Sequence, residues 1–164
     1  MRRKKSEQPA VRGHATSLGP LASYIAFQLR RAQNMSFEAF ANRVGKSNLA
    51  PGHFAILAVI DANHGINQTA LSRATDRDKS TLTPAIRTLM NSGYVARVRS
   101  AADSRAYELS LTRAGKRYLD QLRAHAEAHD RRLDEIVGPA HKALLLHLLR
   151  QIVLGLEKDR KSKR

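Results

Sequence analysis

The chain has 164 residues, 26% of them charged, with 29 Lys and Arg against 14 Asp and Glu for a formal net charge of +15, and it contains no cysteine. That length supports one domain with a modest core rather than two well-filled ones, and the missing cysteines exclude disulfides, thiolate metal sites and a cysteine nucleophile, as suits a reducing cytoplasm. An excess of this size favours a polyanionic partner.

Residues 1–17 read as a basic flexible tail, with Arg2, Arg3, Lys4, Lys5 and Arg12 against Glu7, and residues 159–164 form a second basic tail. Such ends are ordinarily solvated, so they only support a polyanion reading. The stretch after the first basic residues is polar and lacks the apolar run of a signal peptide.

The main domain is expected over 18–158. Gly19-Pro20 reads as a helix start, because proline is tolerated in the first helical turn. Leu21, Tyr24, Ile25, Gln28, Leu29, Ala32, Ser36, Phe37 and Phe40 then recur at three- and four-residue steps, predicting a long amphipathic helix to about Val44. Residues 45–48 break it, and Pro51 opens a second helix that ends before Asn63-His64-Gly65.

Asn67 is placed to cap a short helix through Ala74, and after a turn at 75–77 Asp78 is placed to cap a fourth. In that fourth helix Leu82, Ala85, Ile86, Leu89 and Met90 share one face, while Lys79, Ser80, Thr83, Arg87 and Asn91 lie opposite. Asn91-Ser92-Gly93 ends it. Residues 94–99 and 106–111 have the alternation of two strands, and the small charged loop between them makes a hairpin with an exposed tip.

Thr112 is placed to cap a long helix to about Val137, with Tyr118, Leu119, Leu122, Ala126, His129, Leu133 and Ile136 on its apolar side. Gly138-Pro139 breaks the chain, and the last helix, Ala140 to about Lys158, is apolar nearly all round. A terminal helix of that kind needs a cover. His147, Arg150 and Gln151 interrupt it, so it is too short and too polar to span a bilayer, and no membrane association is expected.

A short helix, a tight turn, a second helix and a basic hairpin follow one another in the order of a winged helix-turn-helix. The fold class is therefore mainly α with a small β-hairpin, a winged helix-turn-helix plus further helices. A helix anchored by its apolar side while Ser, Thr and Arg point outward suits the major groove. A hairpin tip carrying Arg105 suits the adjacent minor groove, where negative potential attracts guanidinium groups.

Three stretches carry a more specific resemblance: Asp78-Lys79-Ser80-Thr81-Leu82-Thr83-Pro84, Asn91-Ser92-Gly93-Tyr94-Val95, and Asp103-Ser104-Arg105 with the trailing Leu111-Thr112-Arg113-Ala114-Gly115. Together they resemble the recognition helix, the helix-to-wing junction and the wing of the multiple antibiotic resistance regulator (MarR) family. The likeness extends more loosely over about 18–156.

The resemblance implies an obligate homodimer built by a helical dimerisation region at about 18–46 and 112–158, with the DNA-binding part at about 49–112. It implies a transcription regulator on double-stranded DNA, by default a repressor of a pseudo-palindromic operator, released by a small aromatic or acyl-CoA-type effector. Ser80, Thr81, Thr83 and Arg87 would contact the major groove and Arg105 the minor groove, with Asp103 holding the wing arginine. Lys79, Pro84, Arg99 and Ser104 complete the candidate DNA-contact set, Pro84 presenting its ring to a thymine methyl. The implied effector cleft lies between the first, second and fifth helices, and Tyr24, Phe27, Arg30 and His53 offer the aromatic and cationic groups that would line it.

Each assignment has a plainer alternative. Ser80 and Thr81 could satisfy backbone groups of their own helix start, Arg105 could simply pair with Asp103, and Tyr24 and Phe27 could be core. His125 and His129 lie four apart on a helix, yet no third ligand is marked and the glutamate does not follow the first histidine as in zinc proteases. A structural or simply exposed position is expected for them, with no metal and no cofactor. No phosphate loop or nucleophile elbow is present, so an enzyme is not expected. The competing functional readings are a basic architectural protein without sequence preference and a protein-interaction module using the leucine-rich last helix.

Overall fold

The computed structural model describes residues 16–45, 49–99 and 107–162, without the side chain of Lys161. Residues 1–15 of the first expected tail, 163–164 of the second and the wing tip with Asp103, Ser104 and Arg105 lie outside the described residues, whereas 159–162 of the expected second tail are helical. Contacts divide the chain into one unit up to Ser36 and another from Phe37 onward.

Helix α1 spans Ile25–Gly45. The sequence expectation of an uninterrupted helix from Pro20 is corrected here: Gly19–Ser23 form a separate 3-10 turn and Tyr24 is extended, with φ −81° and ψ 122°. The cause is local. Ser23 Oγ donates to the Pro20 carbonyl at 3.0 Å and Tyr24 N–H to the Leu21 carbonyl at 3.1 Å, closing the turn before α1 begins. A similar 3-10 turn, Pro51–His53, precedes α2 at Phe54–Ala62, so α2 starts three residues after the proline that was expected to open it.

A two-residue strand β1, Ile66–Asn67, then leads into α3, Gln68–Ala74, and α4, Lys79–Asn91. The expected caps form: Asn67 Oδ1 accepts from Ala70 N–H and Asp78 Oδ1 from Thr81 N–H, both at 2.9 Å. Helix α4 ends in a Schellman motif on Gly93, whose φ of +71° favours glycine. Its N–H reaches the Met90 carbonyl and Tyr94 N–H the Leu89 carbonyl, each at 2.9 Å.

Strands β2, Val95–Arg99, and β3, Tyr107–Leu111, pair antiparallel with Arg97 opposite Leu109 and Arg99 opposite Tyr107. β1 adds to the other edge of β3, making a three-stranded sheet in the order β1-β3-β2 where the sequence pattern implied a hairpin alone. Two residues are too few to show a period of two. Helices α5, Arg113–Val137, and α6, Pro139–Ser162, complete the chain.

The core gathers Ile56, Leu57 and Ile60 of α2, Leu71 of α3, Leu82, Ile86 and Leu89 of α4, Val95 and Leu109 of the sheet, and Leu119 and Leu122 of α5. It holds α4 by its inner side only. The apolar side expected of α5 is buried only in its first half, and Ile136 is 65% exposed. Along α6, Leu144, Leu145, Leu146, Leu148, Val153, Leu154 and Leu156 are all exposed.

Candidate nucleic-acid interface

The outward side of α4 carries Lys79, Ser80, Thr81, Thr83, Pro84 and Arg87, all exposed. Because Leu82, Ile86 and Leu89 are buried at helical spacing, this side can lie only toward solvent. Among the described residues no carboxylate pairs with Arg87.

The hydroxyls are already engaged. Ser80 Oγ donates to Asp78 Oδ1 at 2.6 Å, and Thr81 Oγ1 lies 3.1 Å from both the carboxylate and the carbonyl of Asp78. Thr83 Oγ1 donates to the Lys79 carbonyl at 2.7 Å while accepting from Gln68 Nε2 at 2.7 Å. The hydrogen bonds from Ser80 and Thr81 hold the Asp78 carboxyl below its ordinary value, so the cap is a charged one. With their donors used inside the protein, these hydroxyls present acceptor lone pairs outward, leaving Lys79 and Arg87 as the charged donors of the outer side.

Pro84 stands inside α4 and has no N–H for the Ser80 carbonyl, and its own carbonyl accepts from Thr88 Oγ1 at 3.1 Å. Its ring is exposed on the same side as Arg87.

On the sheet, Arg99 is exposed, with its guanidinium carbon 5.9 Å from the centre of the Tyr107 ring. Closer still is Arg97, at 3.7 Å over the same ring. Sequence reading passed over Arg97 and Tyr107. Their signal lies in the hairpin register, which places Tyr107 diagonal to Arg97 on one face of the sheet, within reach of long side chains.

The four candidate effector residues fall in both units. Tyr24 is 55% exposed beside the first 3-10 turn, Phe27 is half-buried with the Arg31 guanidinium 5.9 Å over its ring, and Arg30 is exposed. His53 belongs to the second unit. There Tyr118 Oη accepts from Ala50 N–H at 3.1 Å and lies 3.3 Å from His53 Nδ1. The arrangement that forms both bonds has the tyrosine hydroxyl donating to an unprotonated Nδ1, and burial, then the neighbouring Arg77 guanidinium, push the imidazole below its usual pKa. Tyr118 also stacks on Tyr94, with ring centres 4.3 Å apart and planes 10° from parallel.

His125 and His129 are both half-buried, and the His129 ring lies 5.6 Å from Phe40. Among the described residues no group of three or more potential ligands could hold a metal ion, and no helix is long and apolar enough to cross a membrane.

Residues 47–106 match the profile of the MarR family. The chain is also 30% identical over 135 residues to a putative transcriptional regulatory protein for the hcr operon of Thauera aromatica, covering 82% of this chain and 81% of that one. The chain belongs to the MarR family. Among solved structures, this MarR-family chain is similar to the transcriptional repressor CouR bound to a 23-mer DNA duplex, with 31% identity, a TM-score of 0.77 and coverage of 85% of this chain and 99% of that one. CouR bound to p-coumaroyl-CoA is similar at 30% identity and a TM-score of 0.75, covering 85% and 98%. A probable transcriptional regulator from Pseudomonas aeruginosa is 27% identical with a TM-score of 0.74, covering 80% and 98%. The MarR-family assignment makes the fold a winged helix and the chain a transcriptional regulator, as the three motif stretches imply.

Proposed function

We propose that the protein is a homodimeric repressor that reads a pseudo-palindromic operator with the outer side of α4, and that a small aromatic or acyl-CoA-type effector releases it. The observation that carries this reading is the form of α4: three buried leucine and isoleucine positions lock one side, while Lys79 and Arg87 stand exposed among acceptor hydroxyls on the other. Arg and Lys are the commonest donors to guanine in the major groove. The net charge of +15 supplies attraction for the phosphate backbone, and CouR, which shares the fold, is seen on a DNA duplex.

The homodimer rests on α6. Seven of its leucine and valine side chains are exposed, an apolar area that a second copy would cover, as expected for a patch of this kind. A dimer also presents two copies of α4, matching the two half-sites of a pseudo-palindrome. In this reading the wing residues Asp103, Ser104 and Arg105 serve the adjacent minor groove, and the protein acts in the cytoplasm without chemistry of its own.

The effector class rests on the CouR complex with p-coumaroyl-CoA and on the aromatic and cationic character of Tyr24, Phe27, Arg30 and His53. Effector and operator affinities are then linked reciprocally.

The experiment is binding of purified protein to genomic fragments at about 150 mM salt, where surface attraction is partly screened, comparing wild type with Arg87→Ala. A few palindromic fragments should bind far more tightly than bulk DNA, and Arg87→Ala should lose most of that preference. Equal binding of all fragments would instead favour the architectural reading that the high charge also suits. Addition of aromatic carboxylates and their CoA thioesters to the operator complex tests the effector.

A further inference from the structure

We propose that Arg97, held in place by Tyr107, grips a DNA backbone phosphate at the base of the wing and adds affinity without sequence preference. The inference rests on the DNA-binding reading above and adds a contact outside the candidate set of α4, Arg99 and the wing tip.

Between α3, α4 and the sheet lies a hollow of about 480 Å³, lined at its polar side by Gln68, Thr69, Arg73, Arg97 and Tyr107 and floored by Leu109. Among the described residues two guanidinium groups and no carboxylate face it. Such a concavity suits an anion. Leu109 is 2% exposed and pairs directly with Arg97, so the strand beneath the guanidinium is anchored in the core.

The stack on Tyr107 determines how Arg97 can act. With its guanidinium carbon 3.7 Å from the ring centre, Arg97 uses its flat face on the aromatic ring. Its N–H donors lie in the guanidinium plane, so the edge remains available for the paired oxygens of a phosphate. Holding the side chain in one place before binding lowers the ordering entropy lost on contact. Arg97 is therefore the contact and Tyr107 a positioning residue.

The ligand is a duplex phosphate rather than a free anion because one lining residue of the hollow is bonded to the outer side of α4. Gln68 lines it and also donates to Thr83 of that side at 2.7 Å. A DNA strand entering the groove at Thr83 and Arg87 would carry its phosphates past Gln68 toward Arg97.

The test measures dissociation constants of the full-length protein for an operator duplex and a scrambled duplex of equal length across a salt series. The variants are Arg97→Ala, Arg97→Lys, Tyr107→Phe and Tyr107→Leu, each checked for an unchanged melting temperature. Arg97→Ala should weaken both duplexes by the same factor, roughly tenfold for one charged contact. It should also lower the slope of log affinity against log salt by about 0.9, the value for one phosphate. Arg97→Lys should keep the slope, Tyr107→Phe should match wild type, and Tyr107→Leu should weaken both duplexes alike.

An unchanged slope in Arg97→Ala, or a change confined to the operator, would overturn the phosphate contact. Tyr107→Leu matching wild type would overturn the positioning role. Inorganic phosphate at millimolar concentration raising the melting temperature of wild type but not of Arg97→Ala would show a free-anion site and overturn the duplex assignment. Wild type that binds both duplexes equally defeats the operator reading instead, and the salt slopes still decide the fate of Arg97.

Discussion

Replacing Gly115 by alanine sets two physical expectations against each other. Gly115 is buried in the first turn of α5, where glycine costs about 0.5–1 kcal/mol relative to alanine, so helix propensity alone has the substitution stabilising the protein. Tertiary packing reverses the sign. A Cβ on Gly115 would stand 1.9 Å from the Tyr94 carbonyl oxygen and 2.8 Å from its carbon, against an ordinary carbon–oxygen approach of roughly 3.3–3.6 Å. The start of α5 must then retreat from the end of α4 by roughly 1.5 Å to restore that spacing.

The retreat strains two bonds that tie the same junction together, Thr112 N–H to the Tyr94 carbonyl at 3.1 Å and Thr112 Oγ1 to the Gly93 carbonyl at 2.6 Å. Overpacking of this kind costs about 1–3 kcal/mol, and a weakened hydrogen bond about 0.5–1.5 kcal/mol. After the gain in propensity the net destabilisation is about 1–4 kcal/mol. For a chain of this size the melting temperature should fall by roughly 3–12 °C, measured by circular dichroism at fixed protein concentration because association shifts the midpoint. A Gly115→Ala variant that melts at or above the wild-type temperature would refute the close-packing argument.

Tyr118→Phe removes the acceptor for Ala50 N–H while keeping the ring that stacks on Tyr94, so urea unfolding should show a loss of about 0.5–1.5 kcal/mol, and no loss would mean that water replaces the hydroxyl. The His53 imidazole, held below its usual pKa by burial and by Arg77, takes up its proton more readily in the unfolded chain. Stability should therefore be level above about pH 7 and fall as the pH drops through the ordinary histidine range. Urea midpoints for His53→Gln should lack that portion of the fall, and parallel profiles would remove His53 from the account. Leu148→Glu places a charge on the exposed apolar side of α6 and should convert the dimer to monomer in sedimentation at micromolar concentration, whereas a persisting dimer would move the interface elsewhere.

Much of the fold was legible in short-range chemistry. Asn67, Asp78 and Thr112 each precede a helical pattern, and each side-chain oxygen accepts a backbone N–H of the helix that follows. Gly93 ends α4 because its left-handed backbone is readable from the residue type. The outer side of α4 was equally legible, since Leu82, Ile86 and Leu89 determine which side is buried and so which residues face out.

Apart from the 3-10 turns that precede α1 and α2, what sequence alone missed depended on partners far along the chain. Strand β1 exists because Ile66 and Asn67 find Leu109 and Glu108 more than forty residues away, and two residues carry no periodic signal. Ser80 and Thr81 bond to Asp78 within their own helix start, the plainer alternative that sequence offered, whereas the partner of Thr83 on α3, Gln68, came only with the fold. Arg97 carries no local signal, and only the register of β2 on β3 sets it over Tyr107.

By itself, then, the sequence determined the helix caps, the winged-helix order and the side of α4 turned outward, because these depend on residue chemistry within a turn or two. The tertiary structure alone decided the third strand, the bond from Gln68 to Thr83, the stack beneath Arg97 and the need for glycine at 115. Those features arise where segments distant in sequence approach within van der Waals or hydrogen-bond range, a distance that no local pattern encodes.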